Sequence, residues 1–226
     1  MIKSIVDLME LERSYRCYLS AHNVEFDDKG YPRFLPSMFI DQWPDAIVTF
    51  QCRNNAMLVK NPVRTAICFF TTDYRLYPRL ERIFDDLDEY KKFMAVISMD
   101  LTFTDDMDPE LQQLIVTINL LFTMILAVNG IKIILNTRSG SLTSSQIFGS
   151  IPKGIMVSSG FLGCKRIEEG NLSYITKMLF LFPSKVIIYG KHDQHAEKQL
   201  DRLGFEYRVY PDVHKITKNK ENEYGR

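Results

Sequence analysis

The chain has 226 residues, of which 46% are hydrophobic, which is enough for a sizeable packed core. Its 28 basic residues equal its 28 acidic residues in number, so broad electrostatic binding to nucleic acid is not predicted. The four cysteines lack the spacing of metal ligands and no signal peptide opens the chain, so we expect a cytoplasmic protein with reduced thiols and no zinc site.

The first 44 residues are predicted to form a helix followed by a segment that wraps the body of the domain. Apolar residues recur at three- and four-residue spacing between Ile2 and Ser20, which is typical of an amphipathic helix. A turn at 27–30 and the prolines up to Pro36 exclude a regular helix in the segment that follows.

Short apolar runs then alternate with helical patterns along the chain. Strands are predicted at 46–50, 63–70, 94–98, 131–135, 155–158, 186–188 and 206–210, and helices at 77–83, 87–92, 109–128, 172–181 and 194–203, with a short helix or turn at 144–149. The longest helix begins after the cap residue Asp108 and ends at Asn129-Gly130. Its apolar part, Leu114 to Val128, is shorter than a membrane span, so we expect it to be buried within the domain.

Seven strands separated by helices indicate an α/β fold with a mostly parallel sheet that helices cover. That number suits either an incomplete (βα)-barrel or a doubly wound open sheet. The absence of a glycine-rich phosphate loop at a switch point favours the barrel. No linker or repeat divides the chain, which predicts a single domain with a βα core at 45–212 and a polar tail at 213–226.

Asp73 and Asp100 are the candidate catalytic and metal-binding pair, because each follows one of two consecutive predicted strands by a few residues. Consecutive strands of a βαβ unit lie side by side, so we expect the two carboxylates to approach each other above the sheet. There they can hold a divalent cation or divide acid and base roles. The alternative is local: each aspartate caps a helix or braces a loop through backbone N–H groups.

Two other segments at predicted strand ends are candidates for binding an anion. Arg138 can hold a carboxylate or a phosphate in a bidentate fork, or it can pair with Asp73 or Asp100. The small residues from Ser158, Ser159 and Gly160 to Gly163 can cradle an anion with their N–H groups, or they form a tight turn that needs glycine. This stretch matches no P-loop, dinucleotide-binding fingerprint or nucleophile elbow.

The remaining polar motifs indicate no chemistry. His192 and His195 have a spacing that suits metal ligands, but they flank a helix start at which Asp193 is a natural N-cap. Neither a helix-turn-helix signal nor a basic stripe is present, so sequence-specific DNA binding is the least favoured function.

Four segments stand out along the chain: 69–74, 98–102 with Met107 downstream, 151–163, and Pro183 with 186–190. In this order they resemble the segments of an uncharacterised family of phages, plasmids and other mobile elements, domain of unknown function 4417. The resemblance extends from Cys68 to His214. It implies a site that includes Asp73, Tyr74, Asp100 and Gly163. The family's Arg and Trp on the long middle helix have no equivalents around Asn119 to Met124, which implies an altered or lost activity where that pair lines a pocket.

These observations support two hypotheses and leave open whether the protein is an enzyme. The first is a mobile-element protein whose strand-end pocket binds a phosphate-bearing ligand, nucleotide or nucleic-acid end. Tyr74, Arg138, Ser158, Ser159, Gly160 and Gly163 are its candidate ligand-binding residues, and a divalent metal is expected between Asp73 and Asp100. The alternative is a non-catalytic interaction protein that binds a host defence or replication factor.

Overall fold

The computed structural model describes residues 2–102, 104, 106–138, 146–161 and 173–213. Within them, seven parallel strands form one sheet in chain order: β1 (Ala46–Thr49), β2 (Thr65–Cys68), β3 (Ala95–Ile97), β4 (Ile133–Asn136), β5 (Met156–Gly160), β6 (Lys185–Gly190) and β7 (Glu206–Pro211). Each strand pairs with the next in parallel register, with Val48 opposite Ile67 in the first pair. All seven carboxyl ends therefore lie at one edge of the sheet, which we call the carboxyl edge, and all amino ends lie at the opposite amino edge.

The sheet is nearly closed into a barrel, so the incomplete barrel and not the open sheet is what this chain forms. Side chains, and not a described strand ladder, join β7 to the segment before β1. Tyr210 donates its hydroxyl hydrogen to the Pro44 carbonyl at 2.7 Å, and Trp43 Nε1 donates to Glu206 at 3.0 Å. The Arg208 guanidinium lies 4.7 Å from the centre of the Trp43 ring. These contacts connect the last strand to the segment that leads into the first.

Apolar side chains from all seven strands and their ends fill the interior of the barrel: Ile47, Ala66, Cys68, Phe70, Ala95, Ile97, Ile134, Met156, Ile187, Tyr189 and Tyr210. Phe70 and Tyr189 stack with their ring centres 5.0 Å apart. A Cβ atom at Gly160 would lie 2.4 Å from the Phe70 ring, so only glycine fits there. Cys68 is fully buried, and burial raises the pKa of its thiol to about 12, so it packs in this core as a small neutral side chain. The interior is a packed core and not a pore.

Six described α-helices lie outside the strands: α1 (Ile5–Ala21), α2 (Asp73–Glu81), α3 (Ile83–Tyr90), α4 (Pro109–Val128), α5 (Ser173–Leu181) and α6 (Gln194–Leu203). They bury the outward apolar residues of the strands in a second, larger core. α1 packs along α4, and the Tyr15 hydroxyl donates to the Leu80 carbonyl at 2.5 Å, which ties α1 to the end of α2. The apolar side chains on both faces of the strands explain why the strands appear in the sequence as uninterrupted apolar runs.

α4 begins and ends where the sequence predicts. The Asp108 carboxylate accepts hydrogen bonds from the N–H groups of Glu110 and Leu111, and the helix stops before Gly130, whose φ of +81° suits glycine. By length and composition this helix could cross a membrane, but 72% of its most apolar window is buried inside the protein. It is the core helix of this fold, as its sequence predicts.

The segment between α1 and β1 runs along the amino edge of the barrel. Phe39 forms a parallel bridge with Ile133, and Ile40 donates its N–H to the Ile133 carbonyl at 3.1 Å. Lys185, at the start of β6, donates to the Asp41 carboxylate at 2.8 Å. These contacts attach the segment to two strands that lie two places apart in the sheet.

Among the predicted boundaries that differ from the structure, those of α2 and β5 bear most on the candidate site. α2 begins at Asp73 and not at residue 77, because Thr72 is extended and an acidic first residue suits the positive end of a helix. β5 continues to Gly160 and does not end at Ser158, because Ser159 and Gly160 still pair with Ile188 and Tyr189 of β6. Both differences place polar residues on regular elements where loops are predicted.

Candidate functional site at the carboxyl edge

Asp100 lies at the centre of a polar cluster at the carboxyl edge. It follows β3, and its side chain is only 15% exposed. Its Oδ1 accepts a hydrogen bond from Asn136 Nδ2 at 2.9 Å, and its Oδ2 lies 3.7 Å from a guanidinium nitrogen of Arg138. Asn136 ends β4 and Arg138 follows two residues later, so the ends of neighbouring strands hold this carboxylate between an amide and a guanidinium.

Burial raises the pKa of the Asp100 carboxyl. The positive charge of Arg138 and the hydrogen bond from Asn136 favour the ionised form and lower the pKa, while the carboxylate of Asp73 raises it further. The desolvation of Asp100 therefore outweighs its two favourable partners. A carboxyl group with a raised pKa at the edge where strand ends converge is a candidate functional group.

Two asparagines form the floor beneath Asp100. Both Asn119 Nδ2, from α4, and Asn136 Nδ2 donate to the Met99 carbonyl at 3.1 Å. The backbone N–H of Asn136 donates to Ser98 Oγ at 2.7 Å. These bonds fix the two residues before Asp100 and connect the long core helix to the site.

Asp73 braces the loop that carries Asp100. Its Oδ1 accepts hydrogen bonds from both the N–H group of Thr102, at 3.1 Å, and the Thr102 hydroxyl, at 3.0 Å. Loop bracing is the local alternative that the sequence analysis gives for Asp73. The structure also brings the two aspartates to the same edge, since Asp73 acts electrostatically on Asp100.

The described residues contain no group of three or more His, Cys, Asp or Glu side chains arranged to hold a metal ion. Asp73 and Asp100 each use Oδ1 to accept hydrogen bonds from protein groups. The pair alone is therefore not a complete set of metal ligands. It fits the way Mg²⁺ binds together with phosphates, through one or two carboxylates and retained water.

The anion cradle predicted at Ser158 to Gly163 stays a prediction, although its described part lies in a strand. Ser158, Ser159 and Gly160 belong to β5 and pair with β6, and Ser158 also pairs with Asn136 of β4. The Ser159 hydroxyl lies 2.8 Å from the Thr137 hydroxyl and is not directed to the Asp100 cluster by any described contact. Gly163 lies outside the described residues.

Three buried side-chain oxygens near the strand ends find no hydrogen-bond partner in the described protein: Thr49 Oγ1, Asn119 Oδ1 and Ser158 Oγ. Thr49 and Ser158 occupy the strand face that points into the barrel, two residues after Ile47 and Met156. Asn119 lies beneath Asp100. Unpaired buried oxygens are uncommon in native proteins, and their presence near the carboxyl ends of β1 and β5 and beneath Asp100 suits a place where polar molecules enter.

Tyr74 stands at the rim, immediately after Asp73 in the first turn of α2. Its side chain is 68% exposed, the highest value of any exposed large apolar or aromatic residue in the described chain. Arg75 Nε donates to the Tyr74 hydroxyl at 2.7 Å, and its guanidinium carbon lies 5.4 Å from the ring centre. The rim thus presents an aromatic ring and a guanidinium together.

The His192–His195 motif is a helix cap, as the local alternative predicts. The Asp193 carboxylate accepts hydrogen bonds from the N–H groups of His195 and Ala196 at the start of α6. His192 Nδ1 lies 3.1 Å from the Glu197 carboxylate, and no described contact joins the two histidine rings. No described hydrogen bond or ion pair joins these residues to Asp100.

Sequence reasoning missed the two asparagines that hold Asp100 in place. Asn119 was detectable as a polar residue in an otherwise apolar helix, and Asn136 as a polar residue that ends an apolar strand. Neither signal says which groups the amides contact, because those contacts join α4, β3 and β4 from distant parts of the chain.

The fold and this cluster define an α/β barrel-like protein with a polar site where its parallel strands end. The family described as Domain of unknown function (DUF4417) matches residues 30–208, and the chain belongs to that family. The match includes Asp73, Asp100 and Arg138 and leaves α1 outside. No curated protein and no solved structure matches the chain significantly.

Proposed function

We propose that the carboxyl edge of the barrel binds a phosphate-bearing ligand, with Arg138 as the residue that contacts the phosphate. The observation that carries this proposal is the half-buried ion pair between Arg138 and Asp100 where neighbouring strands end. A guanidinium that one carboxylate already orients is preorganised for a second anion, because its planar donors suit carboxylate and phosphate geometry.

The negative charges of Asp73 and Asp100 suggest that these two residues contact a cation that accompanies the phosphate. Among the described residues, Asp100 pairs with Arg138 and also lies within the electrostatic influence of the second carboxylate, Asp73, and an excess of carboxylates over guanidinium groups repels a phosphate. Mg²⁺ offsets such repulsion, since it is commonly bound by one or two carboxylates together with ligand phosphates. In this proposal the ligand enters as its Mg²⁺ complex, and Asp73 and Asp100 contact the cation.

The proposal concerns binding and assigns no reaction. Among the described residues of the cluster, no serine or cysteine is hydrogen-bonded to a histidine, which is the arrangement of an activated nucleophile. The raised pKa of Asp100 suits a proton-transfer group, but a carboxyl group in this position needs a bound substrate before a catalytic role can be assigned.

Thermal melting tests the proposal with pyrophosphate, alone and with Mg²⁺. A ligand that binds only the folded protein raises the melting temperature in proportion to the logarithm of its concentration over its Kd. We expect Mg²⁺ and pyrophosphate together to raise the melting temperature of the wild type. The double variant Asp73→Asn/Asp100→Asn should lose that rise, while the amino-edge variant Asp41→Asn keeps it. An equal rise in all three proteins would contradict the proposal.

A second candidate function, protein–protein interaction, is favoured by one surface feature. Leu179, Phe180 and Phe182, at the end of α5, and Leu203, at the end of α6, are all exposed, by 43% to 61%. Phe182 also has a φ of +43°, which is rare for a bulky residue and costs free energy. We refer to these four residues as the α5–α6 patch.

In the mobile-element setting that the family resemblance implies, the partner of this patch would be a host protein of the cytoplasm. Affinity purification from host cells tests this function with the wild type and with Phe180→Glu. A protein retained by the wild type and lost with Phe180→Glu supports the interaction function. Retention by both proteins would show that the patch is not its contact surface, and Asp100→Asn serves as the control with an intact patch.

A further inference from the structure

Tyr74 and Arg75 form an exposed surface that combines an aromatic ring with a guanidinium. Tyr74 is 68% exposed, and Arg75 both donates to its hydroxyl and lies with its guanidinium carbon 5.4 Å from the ring centre. An exposed tyrosine ring held by an arginine keeps a defined orientation, which lowers the entropy that a ligand must overcome to stack on it.

The position of this pair links it to the Asp100 cluster. Tyr74 follows Asp73 directly, and Asp73 is held by two hydrogen bonds from Thr102, two residues after Asp100. The first turn of α2 is thereby fixed against the loop after β3. The ring and the ion pair between Asp100 and Arg138 therefore belong to the same edge of the barrel.

The other exposed aromatic side chains of the described chain lack this combination. Phe84 packs against Tyr18, with ring centres 4.6 Å apart. Phe180 and Phe182 belong to the α5–α6 patch, next to the amino end of β6. Tyr74 is thus the exposed ring that directly follows a residue of the carboxyl-edge site, Asp73.

We propose that the ligand of the carboxyl-edge site is a nucleoside phosphate, whose base stacks on the Tyr74–Arg75 surface while Arg138 binds its phosphate. This inference rests on the proposed function and adds the class of ligand. Bases stack on aromatic rings regardless of their identity, and arginine adds a cation–π contribution. The neutral net charge of the chain argues for a mononucleotide or the phosphorylated end of a strand over a long stretch of nucleic acid.

Calorimetric titration separates the base from the phosphate. The ligands are adenosine monophosphate and ribose 5-phosphate, each with Mg²⁺, and the proteins are the wild type, Tyr74→Ala, Tyr74→Phe and, as a control, Phe84→Ala. We expect Tyr74→Ala to bind adenosine monophosphate about tenfold more weakly than the wild type, as loss of one stacking contact implies. Phe84→Ala should bind it normally, and Tyr74→Phe, which keeps the ring but loses the hydrogen bond from Arg75, should bind with an affinity between those of Tyr74→Ala and the wild type. All four proteins should bind ribose 5-phosphate equally.

Two results would overturn the inference while leaving the proposed function intact. One is normal binding of adenosine monophosphate by Tyr74→Ala, and the other is equal weakening of both ligands, which would mean that Tyr74 acts on the phosphate site. The proposed function fails separately, when the wild type binds neither ligand nor pyrophosphate. A 5′-phosphorylated trinucleotide in the same titration distinguishes the two sources, since tighter binding than the mononucleotide assigns the site to a strand end.

Discussion

The two edges of this barrel use similar charged residues in different surroundings. At the amino edge, Arg64 and Asp45 form an ion pair at 2.7 Å, with side chains 44% and 62% exposed. At the carboxyl edge, Arg138 and Asp100 lie 3.7 Å apart, with side chains 26% and 15% exposed. The closer pair is the more solvated one, and the more buried pair has the longer contact.

This difference indicates what each pair does. An exposed ion pair contributes about 0–1 kcal/mol, because water and salt screen it, so the pair at the amino edge is a minor feature of stability. At the carboxyl edge, burial raises the pKa of Asp100 in spite of Arg138, so a carboxyl group lies there against its own desolvation. A buried ionisable group that stability alone does not favour is more readily explained by a ligand.

The largest expected effect concerns the barrel interior beneath the carboxyl edge. Gly160→Ala should destabilise the protein by about 1–3 kcal/mol, because its Cβ would overlap the Phe70 ring, which is stacked on Tyr189. Gly149→Ala is the control, since the nearest atom to its Cβ would be 3.9 Å away. Urea unfolding measures both variants, and equal free energies of unfolding would show that the stack yields easily.

The next effect compares the two asparagines beneath Asp100. Asn136→Leu should destabilise the protein by about 1–3 kcal/mol, because it leaves the buried carboxylate without its amide donor. Asn119→Leu should cost less, since it removes an unpaired oxygen and Asn136 still donates to the Met99 carbonyl. Urea unfolding of both variants tests this order, and the reverse order would contradict the role given to Asn136.

A smaller effect follows from the raised pKa of Asp100. The folded state binds a proton more tightly at this site than the unfolded chain does, so the free energy of unfolding falls as pH rises through the folded-state pKa. Asp100→Asn lacks this loss. The difference in melting temperature, variant minus wild type, should therefore increase from about pH 4 to neutral pH. A difference that decreases over this range would mean that Arg138 outweighs burial.

The smallest effect is expected at the amino edge. Asp45→Asn should change the free energy of unfolding only slightly, because its partner Arg64 is well solvated. High salt should remove most of this difference, since the Debye length is then only a few ångströms. Urea unfolding at low and high salt measures this difference in the free energy of unfolding. A large loss that persists at high salt would contradict the minor role given to the pair at the amino edge.

Much of the fold could be predicted because its signals are local. Seven apolar runs predict the seven strands, and Asp108 and Asp193 predict the starts of α4 and α6 through their capping bonds. The closure of the barrel could not be predicted with the same certainty. It depends on contacts such as that of Tyr210 with Pro44, which join the two ends of the chain.

The candidate site could be predicted in part, for a related reason. The position of Asp73, Asp100 and Arg138 after strands predicts their common edge, because parallel strands end on one side. Ser159 and Gly160 lie in a strand where a loop is predicted, because small polar residues inside a strand have the composition of a turn. Their pairing with β6 is a tertiary feature that composition does not contain.

Calorimetric titration of two matched arginine variants with Mg²⁺ and pyrophosphate tests the account most directly. Arg138→Gln removes the guanidinium at the carboxyl edge, and Arg64→Gln removes its counterpart at the amino edge. We predict that the wild type and Arg64→Gln bind equally well, and that Arg138→Gln binds at least tenfold more weakly, as loss of one charged hydrogen-bonding group implies. Normal binding by Arg138→Gln, or no saturable binding by the wild type, would contradict a phosphate site at the carboxyl edge.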